Sequence, residues 1–367
     1  MRNLIKDIMY GARTDAATVP LRMVLYALSI VYGIIMRVRN KLYDARILKS
    51  CDIPCHVISI GNILVGGTGK TPVTIMTAKM LKNTGLNVAV VSRGYKRKGG
   101  THPLIVSDGT SVSVSPQEAG DEPHLIATSL TGVPVVVGAD RSGAAMLAVE
   151  RFNPDVILLD DAFQHRKLRR NVDIVTMDAY DPVGSKYFLP RGLLRESPSS
   201  LRRVKAVVIT RALPGHDFGE IEKIVRKFNR TVRIFGCGNS AIGFREPGTA
   251  VTLPPELVNT KKISVMSNIA DPRSFYKMLE SFGAEIVCKA VMADHHRYTI
   301  DELKDIEKKS LDSGAEIIVM TAKDEKNLPE NYNAESVKTV VLDIEARLMG
   351  ETEKYLSLIM PEILNKV

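Results

Sequence analysis

Short apolar runs alternate along the first half of the chain with segments in which apolar positions recur every three or four residues. The runs are rich in Val and Ile, a composition typical of buried strands. They are Val57–Ile60, Val88–Ser92, Val133–Val137, Val156–Asp160, Ile174–Met177 and Val207–Thr210. Helical patterns separate them, near Val73–Lys82, Asp121–Thr128, Arg141–Arg151 and Phe218–Phe228. This alternation predicts an α/β fold, with a mostly parallel sheet and helices on both faces.

The pattern changes in residues 232–257, where short β-like runs are mixed with glycine and proline. This composition predicts a β connector that could form a hairpin. A second α/β set follows, with strands at Ile263–Met266, Ile286–Ala290, Ile317–Met320 and Val337–Leu342 and helices at Arg273–Phe282 and Asp301–Asp312. We therefore predict an N-terminal helix region at 1–45, a first α/β domain at 46–231, a β linker at 232–258 and a second, smaller α/β domain at 259–367.

The N-terminal region contains one stretch without charge, Met23–Met36, which basic residues flank on both sides. It is shorter than the roughly 20 residues that span a bilayer, and no small-residue cleavage site follows it. A helix buried against the protein is one interpretation. A membrane-seated helix with cationic flanks is the other, and the absence of charge around the whole circumference favours it.

Composition limits the classes of partner that this chain of 367 residues is expected to bind. Its hydrophobic content of 45% and charged content of 25% are typical of a globular protein. A net charge of +9 suits nucleic acid, an anionic membrane or phosphorylated substrates. The chain has no Trp and no nucleic-acid-binding motif, so we predict no nucleic-acid partner. Its four cysteines lack disulfide-framework or zinc-site spacing and are predicted to be reduced thiols.

A phosphate-binding loop is the clearest chemical signal. The run Gly66-Gly67-Thr68-Gly69-Lys70-Thr71 follows a predicted strand and precedes a predicted helix. Glycines let backbone N–H groups turn toward phosphate oxygens, and a helix N-terminus adds partial positive charge. Lys70 would reach the β- and γ-phosphates, and the Thr71 hydroxyl would bind Mg²⁺. Leu64 stands where the general pattern has its first glycine.

Acidic residues at strand and helix ends are the next candidates. Asp160 and Asp161 end a hydrophobic strand, where an acid can hold a metal ion together with the loop Thr. The sequence does not choose between them, and a solvated turn is the structural alternative. Asp121 opens a helix, a position where Asp most often serves as a cap.

Histidines and arginines supply further candidates. Asp294-His295-His296 could bind metal, shuttle a proton or form a surface loop. A cleft between the two domains would bring Asp121 to one of these histidines. Four arginines in loops or at helix starts could bind phosphate, and the sequence does not rank them: Arg93, Arg141, Arg191 and Arg195.

Taken together, these motifs resemble one family, the tetraacyldisaccharide 4'-kinases, or lipid A 4'-kinases, of Gram-negative bacteria. The resemblance covers about residues 20 to 330 in the family's order, and the family shares the Leu64 departure. The matching residues are Gly61-Asn62, Val65 to Pro72, Ser92-Arg93-Gly94-Tyr95, Gly120-Asp121-Glu122-Pro123, Leu159-Asp160-Asp161, Phe163-Gln164-His165, Leu194-Arg195-Glu196, Asp294-His295-His296, Tyr298, Thr321 and Lys323-Asp324.

The resemblance implies an ATP- and Mg²⁺-dependent kinase that acts on the 4'-hydroxyl of a tetraacylated glucosamine disaccharide 1-phosphate. It implies a P-loop NTPase-like domain, a second α/β domain joined by a β linker, and a membrane-associated N-terminal helix at the cytoplasmic face of the inner membrane. It leaves the oligomeric state open.

The resemblance also implies roles for individual residues. An Asp–His pair at the acceptor hydroxyl maps to Asp121 and His295, with His296 as the alternative. Asp161 is carried over as catalytic, and Lys70 takes a catalytic as well as a nucleotide-binding role. Expected nucleotide contacts are Gly66, Gly67, Thr68, Gly69, Lys70, Thr71, Arg93 and Glu196. Expected metal contacts are Thr71, Asp160 and Asp161.

Two other classes of protein fit the phosphate loop. One is a phosphate-loop ATPase that phosphorylates no lipid, and it would hydrolyse ATP without an acceptor. The other is a nucleotide-binding membrane scaffold, and it would bind ATP without any effect of changes at Asp121 or His295.

Overall fold

A computed structural model describes residues 2–11, 15–95, 97, 100, 102–184, 186–249, 251–268, 272–292, 296–329, 332, 334 and 336–360. The chain divides into two compact units. The first comprises Met1–Gly238 and Ala346–Val367, and the second comprises Asn239–Glu345.

The first unit is built on a sheet whose central strands are parallel. Its strands are β1 (His56–Gly61), β2 (Val88–Ser92), β3 (Leu104–Ser107), β4 (Val135–Val137), β5 (Val156–Asp160), β6 (Val172–Asp178), β7 (Ala206–Thr210) and the start of β8 (Arg233–Arg245). They lie in the order β8-β7-β6-β1-β5-β2-β4-β3. Only β3 among these pairings runs antiparallel to its neighbour. The predicted mostly parallel α/β fold is confirmed, and the unpredicted β3 is a short edge strand.

Helices cover this sheet, and its strands carry apolar side chains on both faces, as central parallel strands do. Ile58, Leu158 and Ile174 are fully buried. The helices of the unit are α1 (Arg2–Met9), α2 (Val19–Asp44), α3 (Lys70–Asn83), α4 (Pro116–Ala119), α5 (Asp121–Ser129), α6 (Arg141–Phe152), α7 (Gly219–Arg226) and α11 (Thr352–Ile359). The last of these packs back onto the unit through Tyr355, whose hydroxyl lies 2.9 Å from that of Thr77.

The second unit has a smaller parallel sheet. Its strands are β9 (Lys262–Ser267), β10 (Glu285–Val291), β11 (Ile317–Thr321) and β12 (Lys338–Leu348), in the order β10-β9-β11-β12. Its helices are α8 (Arg273–Ser281), α9 (Ile300–Asp312) and α10 (Ala322–Glu325). Ile263, Val319 and Leu342 form part of its core. The predicted second α/β set is therefore present. In the expected connector, one strand, β8, runs for 13 residues.

The apolar N-terminal stretch lies inside α2, which is longer than the uncharged segment. Leu25, Ser29 and Gly33 are its buried positions. Gly33 is required at a close approach, because a Cβ there would lie 2.7 Å from a ring carbon of Phe188. The rest of the apolar surface is largely exposed, and the helix is long and apolar enough to cross a membrane. The predicted N-terminal apolar helix is confirmed.

Candidate functional site

The glycine-rich loop joins β1 to α3 at the carboxyl end of the first sheet. Gly61 ends β1 against Phe163, and a Cβ at Gly61 would lie 2.6 Å from the Phe163 Cβ. Gly69 caps α3 in the left-handed region with φ of +71°. A side chain there would be strained and would lie 3.0 Å from Thr210. The backbone can therefore bend tightly before Lys70, as a loop around phosphate requires.

Hydrogen bonds hold this loop to the neighbouring strands. The Asn62 Nδ2 donates to the Thr68 Oγ1 at 2.7 Å, and the Thr176 hydroxyl of β6 lies 2.8 Å from the same oxygen. The Thr210 hydroxyl of β7 donates to the Thr68 carbonyl at 3.0 Å. The loop backbone is therefore fixed by buried side chains before any ligand binds.

Asp161 lies among positive charges directly after β5. The Arg195 Nη1 donates to both carboxylate oxygens, at 2.9 and 3.1 Å, and the Lys70 Nζ lies 3.8 Å from Oδ1. Burial tends to raise the pKa of Asp161, but Lys70 and Arg195 outweigh it and hold the pKa below its ordinary value. Asp161 also has a positive φ of +47°, which is uncommon outside glycine. The side chain is therefore a charged carboxylate in a constrained position.

Asp160, its neighbour, meets a different environment. It is fully buried, and its carboxylate accepts hydrogen bonds from the Thr74 and Ser92 hydroxyls at 3.1 Å each. Burial, followed by the charges of Glu122 and Asp161, raises its pKa to about 6. Thr74 did not stand out in the sequence. Its position four residues after Lys70, and so on the same helix face, is the signal that would have identified it.

A buried arginine and a neutral histidine lie near this strand end. Arg141 at the start of α6 is almost fully buried, and burial together with the charge of Arg93 lowers its pKa to about 10. The charges of Asp161 and Asp160 act on Arg141 in the opposite direction. His165 has its pKa lowered to about 4 by burial and by Arg141, so it is neutral at pH 7.

Arg195 and Glu196 are held by the loop and by the N-terminal helix. The Arg195 backbone N–H donates to the Ile63 carbonyl at 2.8 Å, and the Tyr32 hydroxyl of α2 donates to the Arg195 carbonyl at 3.2 Å. The Glu196 carboxylate accepts from the Asn40 Nδ2 at 2.8 Å and from Arg203 at 3.1 Å. No local sequence pattern indicates that α2 reaches this segment.

The predicted acceptor-site residues are Asp121, His295 and His296. Asp121 is exposed at the first position of α5, after Gly120. His295 lies outside the described residues, as does Asp294. His296 belongs to the second unit, where its Nε2 lies 3.0 Å from a Glu302 carboxylate oxygen.

The carboxylates that end β5, Asp160 and Asp161, and the Thr71 hydroxyl at the start of α3 are oxygen donors of the kind that fits a magnesium ion. Mg²⁺ prefers carboxylate and hydroxyl oxygens and commonly takes few ligands from the protein, because waters and substrate phosphates complete its shell. Asp160 supplies a buried carboxylate whose ionisation its surroundings oppose, and a cation would relieve that cost. Within the described ranges, no group of three or more His, Cys, Asp or Glu side chains forms a metal cluster.

A family model described as tetraacyldisaccharide-1-P 4'-kinase matches residues 21–363. The chain belongs to the tetraacyldisaccharide 4'-kinase family. It is 40% identical over 326 residues to the tetraacyldisaccharide 4'-kinase of Syntrophus aciditrophicus, and the match covers 87% of each chain. It is 34% identical over 364 residues to that of Halothermothrix orenii, covering 94% of this chain and 93% of the other.

A solved structure from the tetraacyldisaccharide 4'-kinase family agrees with the fold described above. It is LpxK from Aquifex aeolicus in complex with ATP, and it is 32% identical to this chain with a TM-score of 0.71. The match covers 93% of this chain and 99% of that one. The family resemblance predicted from the ordered motifs is thereby confirmed.

Proposed function

We propose that this chain is a tetraacyldisaccharide 4'-kinase. It transfers the γ-phosphoryl group of ATP to the 4'-hydroxyl of a tetraacylated glucosamine disaccharide 1-phosphate and yields the 1,4'-bisphosphate in lipid A biosynthesis. The observation that carries this function is the pairing of Lys70 and Arg195 with Asp161 beside the glycine-rich loop, in a chain of this family.

The loop residues bind the nucleotide in this proposal. The backbone N–H groups of Gly66, Gly67, Thr68 and Gly69 surround phosphate oxygens, and Lys70 neutralises charge on the transferring group. Thr71, Asp160 and Asp161 would hold Mg²⁺, with the choice between the two aspartates left open. When bound, Mg²⁺ would neutralise phosphate charge. Asp161 already contacts Lys70, so it also orients the ammonium group.

Charged side chains around the loop complete the phosphate site. Arg195 is oriented by its two bonds to Asp161 and can turn toward phosphate oxygens. Arg93 is exposed close to the buried Arg141 and remains a predicted nucleotide contact. Glu196 also remains one, although its carboxylate is engaged by Arg203 and Asn40.

Activation of the acceptor hydroxyl is assigned to Asp121 with His295. Asp121 is exposed and therefore accessible to an acceptor. Proton removal from a sugar hydroxyl by such a pair is general base catalysis. His296 is the alternative partner. The division into an N-terminal region (1–45), a kinase domain (46–231), a linker (232–258) and a second domain (259–367) belongs to this proposal.

Membrane association is part of this proposal, and the substrate and α2 support it. A tetraacylated acceptor stays in the bilayer, so the enzyme must reach it there. The exposed apolar surface of α2 and its basic flank suit an anionic membrane surface. We place the protein at the cytoplasmic face of the inner membrane, where ATP is available.

The direct test is phosphoryl transfer from γ-labelled ATP to a tetraacyldisaccharide 1-phosphate in neutral detergent with Mg²⁺. Asp121→Ala should lower turnover by orders of magnitude without loss of ATP binding, because the loop is intact. Asp312→Ala, at an exposed position at the end of α9, is the matched control. Near-normal turnover in folded Asp121→Ala would remove Asp121 from the mechanism. ATP-binding wild-type protein that labels no lipid would refute the kinase function.

A further inference from the structure

A groove of 620 Å³ lies between the carboxyl-terminal half of α2 and the 3₁₀ turn at Pro198–Arg203. Part of its lining is apolar, from Ile34, Met36 and Val38 of α2. Serine hydroxyls from the turn line another part, among them Ser199. The groove therefore has both an apolar and a polar surface.

Positive charge in this groove exceeds what the protein neutralises. Arg37, Lys41 and Arg202 line it and are exposed. Across the described part of the chain, none of the three pairs with a carboxylate. By contrast, Arg166 in the same lining is held by Asp44 at 2.8 Å, and Arg203 is held by Glu196 at 3.1 Å. In the described part of the chain, the charges of these three residues are thus not neutralised by a carboxylate, although the Arg202 Nε donates to the Ser199 carbonyl at 3.2 Å and the Arg37 guanidinium lies over the Phe188 ring.

The groove begins where the apolar stretch of α2 ends. The exposed side chains of Ile30, Val31 and Ile35 continue the apolar surface toward the helix N-terminus. The basic residues of this flank start at Arg37. A phospholipid has this same order of polarity, with acyl chains on one side of an anionic headgroup. Helices with an apolar surface and a basic flank bind anionic membranes in this way.

We propose that this groove binds the headgroup phosphate of an anionic phospholipid, at a site additional to the site of phosphoryl transfer. The inference rests on the proposed membrane association. Apart from the α2 residues themselves, its lining comes from Arg166 and the 197–203 segment, and it includes no residue of the glycine-rich loop, Asp160 or Asp161. A lipid held there would orient α2, whose Tyr32 and Asn40 bind the Arg195–Glu196 segment.

The test uses the full chain with vesicles of phosphatidylcholine, alone or mixed with phosphatidylglycerol. Lys41→Gln should weaken binding to the mixed vesicles about fivefold, the effect of one basic residue near an anionic surface. Lys227→Gln removes the same charge from an exposed position outside the groove and should change binding less than twofold. Ser199→Trp fills the groove without changing charge and should also weaken binding to mixed vesicles.

Native mass spectrometry of detergent-extracted protein gives a second readout. Wild-type protein should retain phosphatidylglycerol, and Ser199→Trp should lose it. Equal weakening by Lys41→Gln and Lys227→Gln would indicate diffuse charge and overturn the proposal. A raised KM for the acceptor in neutral detergent for Ser199→Trp would overturn it in favour of the acceptor's own 1-phosphate. Absence of transfer in wild-type protein would refute the kinase function, while lipid retention would still test the groove.

Discussion

Each unit of the molecule buries aspartate at the end of a parallel strand, and the two environments are opposites. In the second unit, Asp324 follows β11 and is fully buried. Its Oδ1 accepts from the Asn268 backbone N–H and the Tyr298 hydroxyl, each at 2.8 Å. Its Oδ2 accepts from the Thr321 backbone N–H at 3.1 Å and from the Thr321 hydroxyl. Neutral donors thus satisfy both oxygens.

In the first unit, charged neighbours act on both Asp160 and Asp161. Asp160 has two hydroxyl donors and two acidic neighbours, and Asp161 is held by two cations. A carboxylate satisfied by neutral donors ties backbone segments together, whereas one that faces cations or other acids is poised for a charged ligand. We therefore propose that Asp324 supports the scaffold and that the Asp160–Asp161 pair takes part in the chemistry.

The largest effect should come from Lys70→Ala. Loss of the ammonium group removes charge stabilisation from the transferring phosphoryl group, and we expect turnover to fall by about 10³-fold. The measurement is single-turnover transfer from labelled ATP. Lys227→Ala is the control and should keep wild-type turnover. If Lys70→Ala unfolded the protein under the assay conditions, the loss of turnover would reflect the loss of the fold. The cluster around Asp161 would then be structural, and its contrast with Asp324 would not hold.

Asp324→Asn tests the other side of the comparison. The amide NH₂ would face a buried donor, and leaving such a donor unsatisfied costs about 1–3 kcal/mol. We expect a lower unfolding free energy for the second unit, measured by denaturant titration, with ATP binding unchanged. Asp312→Asn changes an exposed aspartate of the same unit and should have no effect. Unchanged stability in Asp324→Asn would show that its hydrogen bonds do not support the scaffold.

The sequence was sufficient for most strands of the first unit and for the loop, because apolar runs and glycine spacing encode them locally. Val88–Ser92 and Val156–Asp160 have the predicted bounds. It did not reveal β3, a short edge strand. Nor did it reveal the length of β8, whose glycines resemble a loop in composition.

The sequence predicted which residues belong to the site much better than it predicted which side chains contact one another there. Asp160 and Asp161 were found because the strand ends there. The bond from Arg195 to Asp161 joins positions 34 residues apart, and no local pattern encodes it. Thr321 and Asp324 have the spacing of a capping box, which the structure shows them to form. The burial of Asp324 under Tyr298 depends on tertiary packing.

The pH dependence of stability should separate Asp160 from a scaffold carboxylate. Its pKa is raised from 3.8 to about 6 on folding, so the folded state holds the proton more tightly than the unfolded chain does. This contribution to stability is present below about pH 4 and is lost as the pH rises through about 6, on the order of 2–3 kcal/mol.

The measurement compares wild-type protein with Asp160→Asn, unfolded by denaturant without divalent cations between about pH 4 and about pH 8. Stability relative to Asp160→Asn should fall as the pH rises, because the variant cannot ionise at this position. Added Mg²⁺ should restore part of the loss at high pH. A pH-independent difference would contradict the proposed environment of Asp160.

Matched hydroxyl deletions should give the smallest effects and the sharpest contrast. Thr74→Val removes a hydrogen-bond donor that favours the ionised form of Asp160, so the pKa of Asp160 should rise further. The acid limb of the pH profile of turnover should then move to higher pH by less than about one unit. Tyr298→Phe removes one of the donors to Asp324 and should cost about 1 kcal/mol of unfolding free energy, with the acid limb unmoved. Burial and the Asp324 charge raise the pKa of Tyr298, so its hydroxyl remains a donor across this range. If Tyr298→Phe moved the acid limb and Thr74→Val did not, the roles assigned to the two strand ends would have to be exchanged.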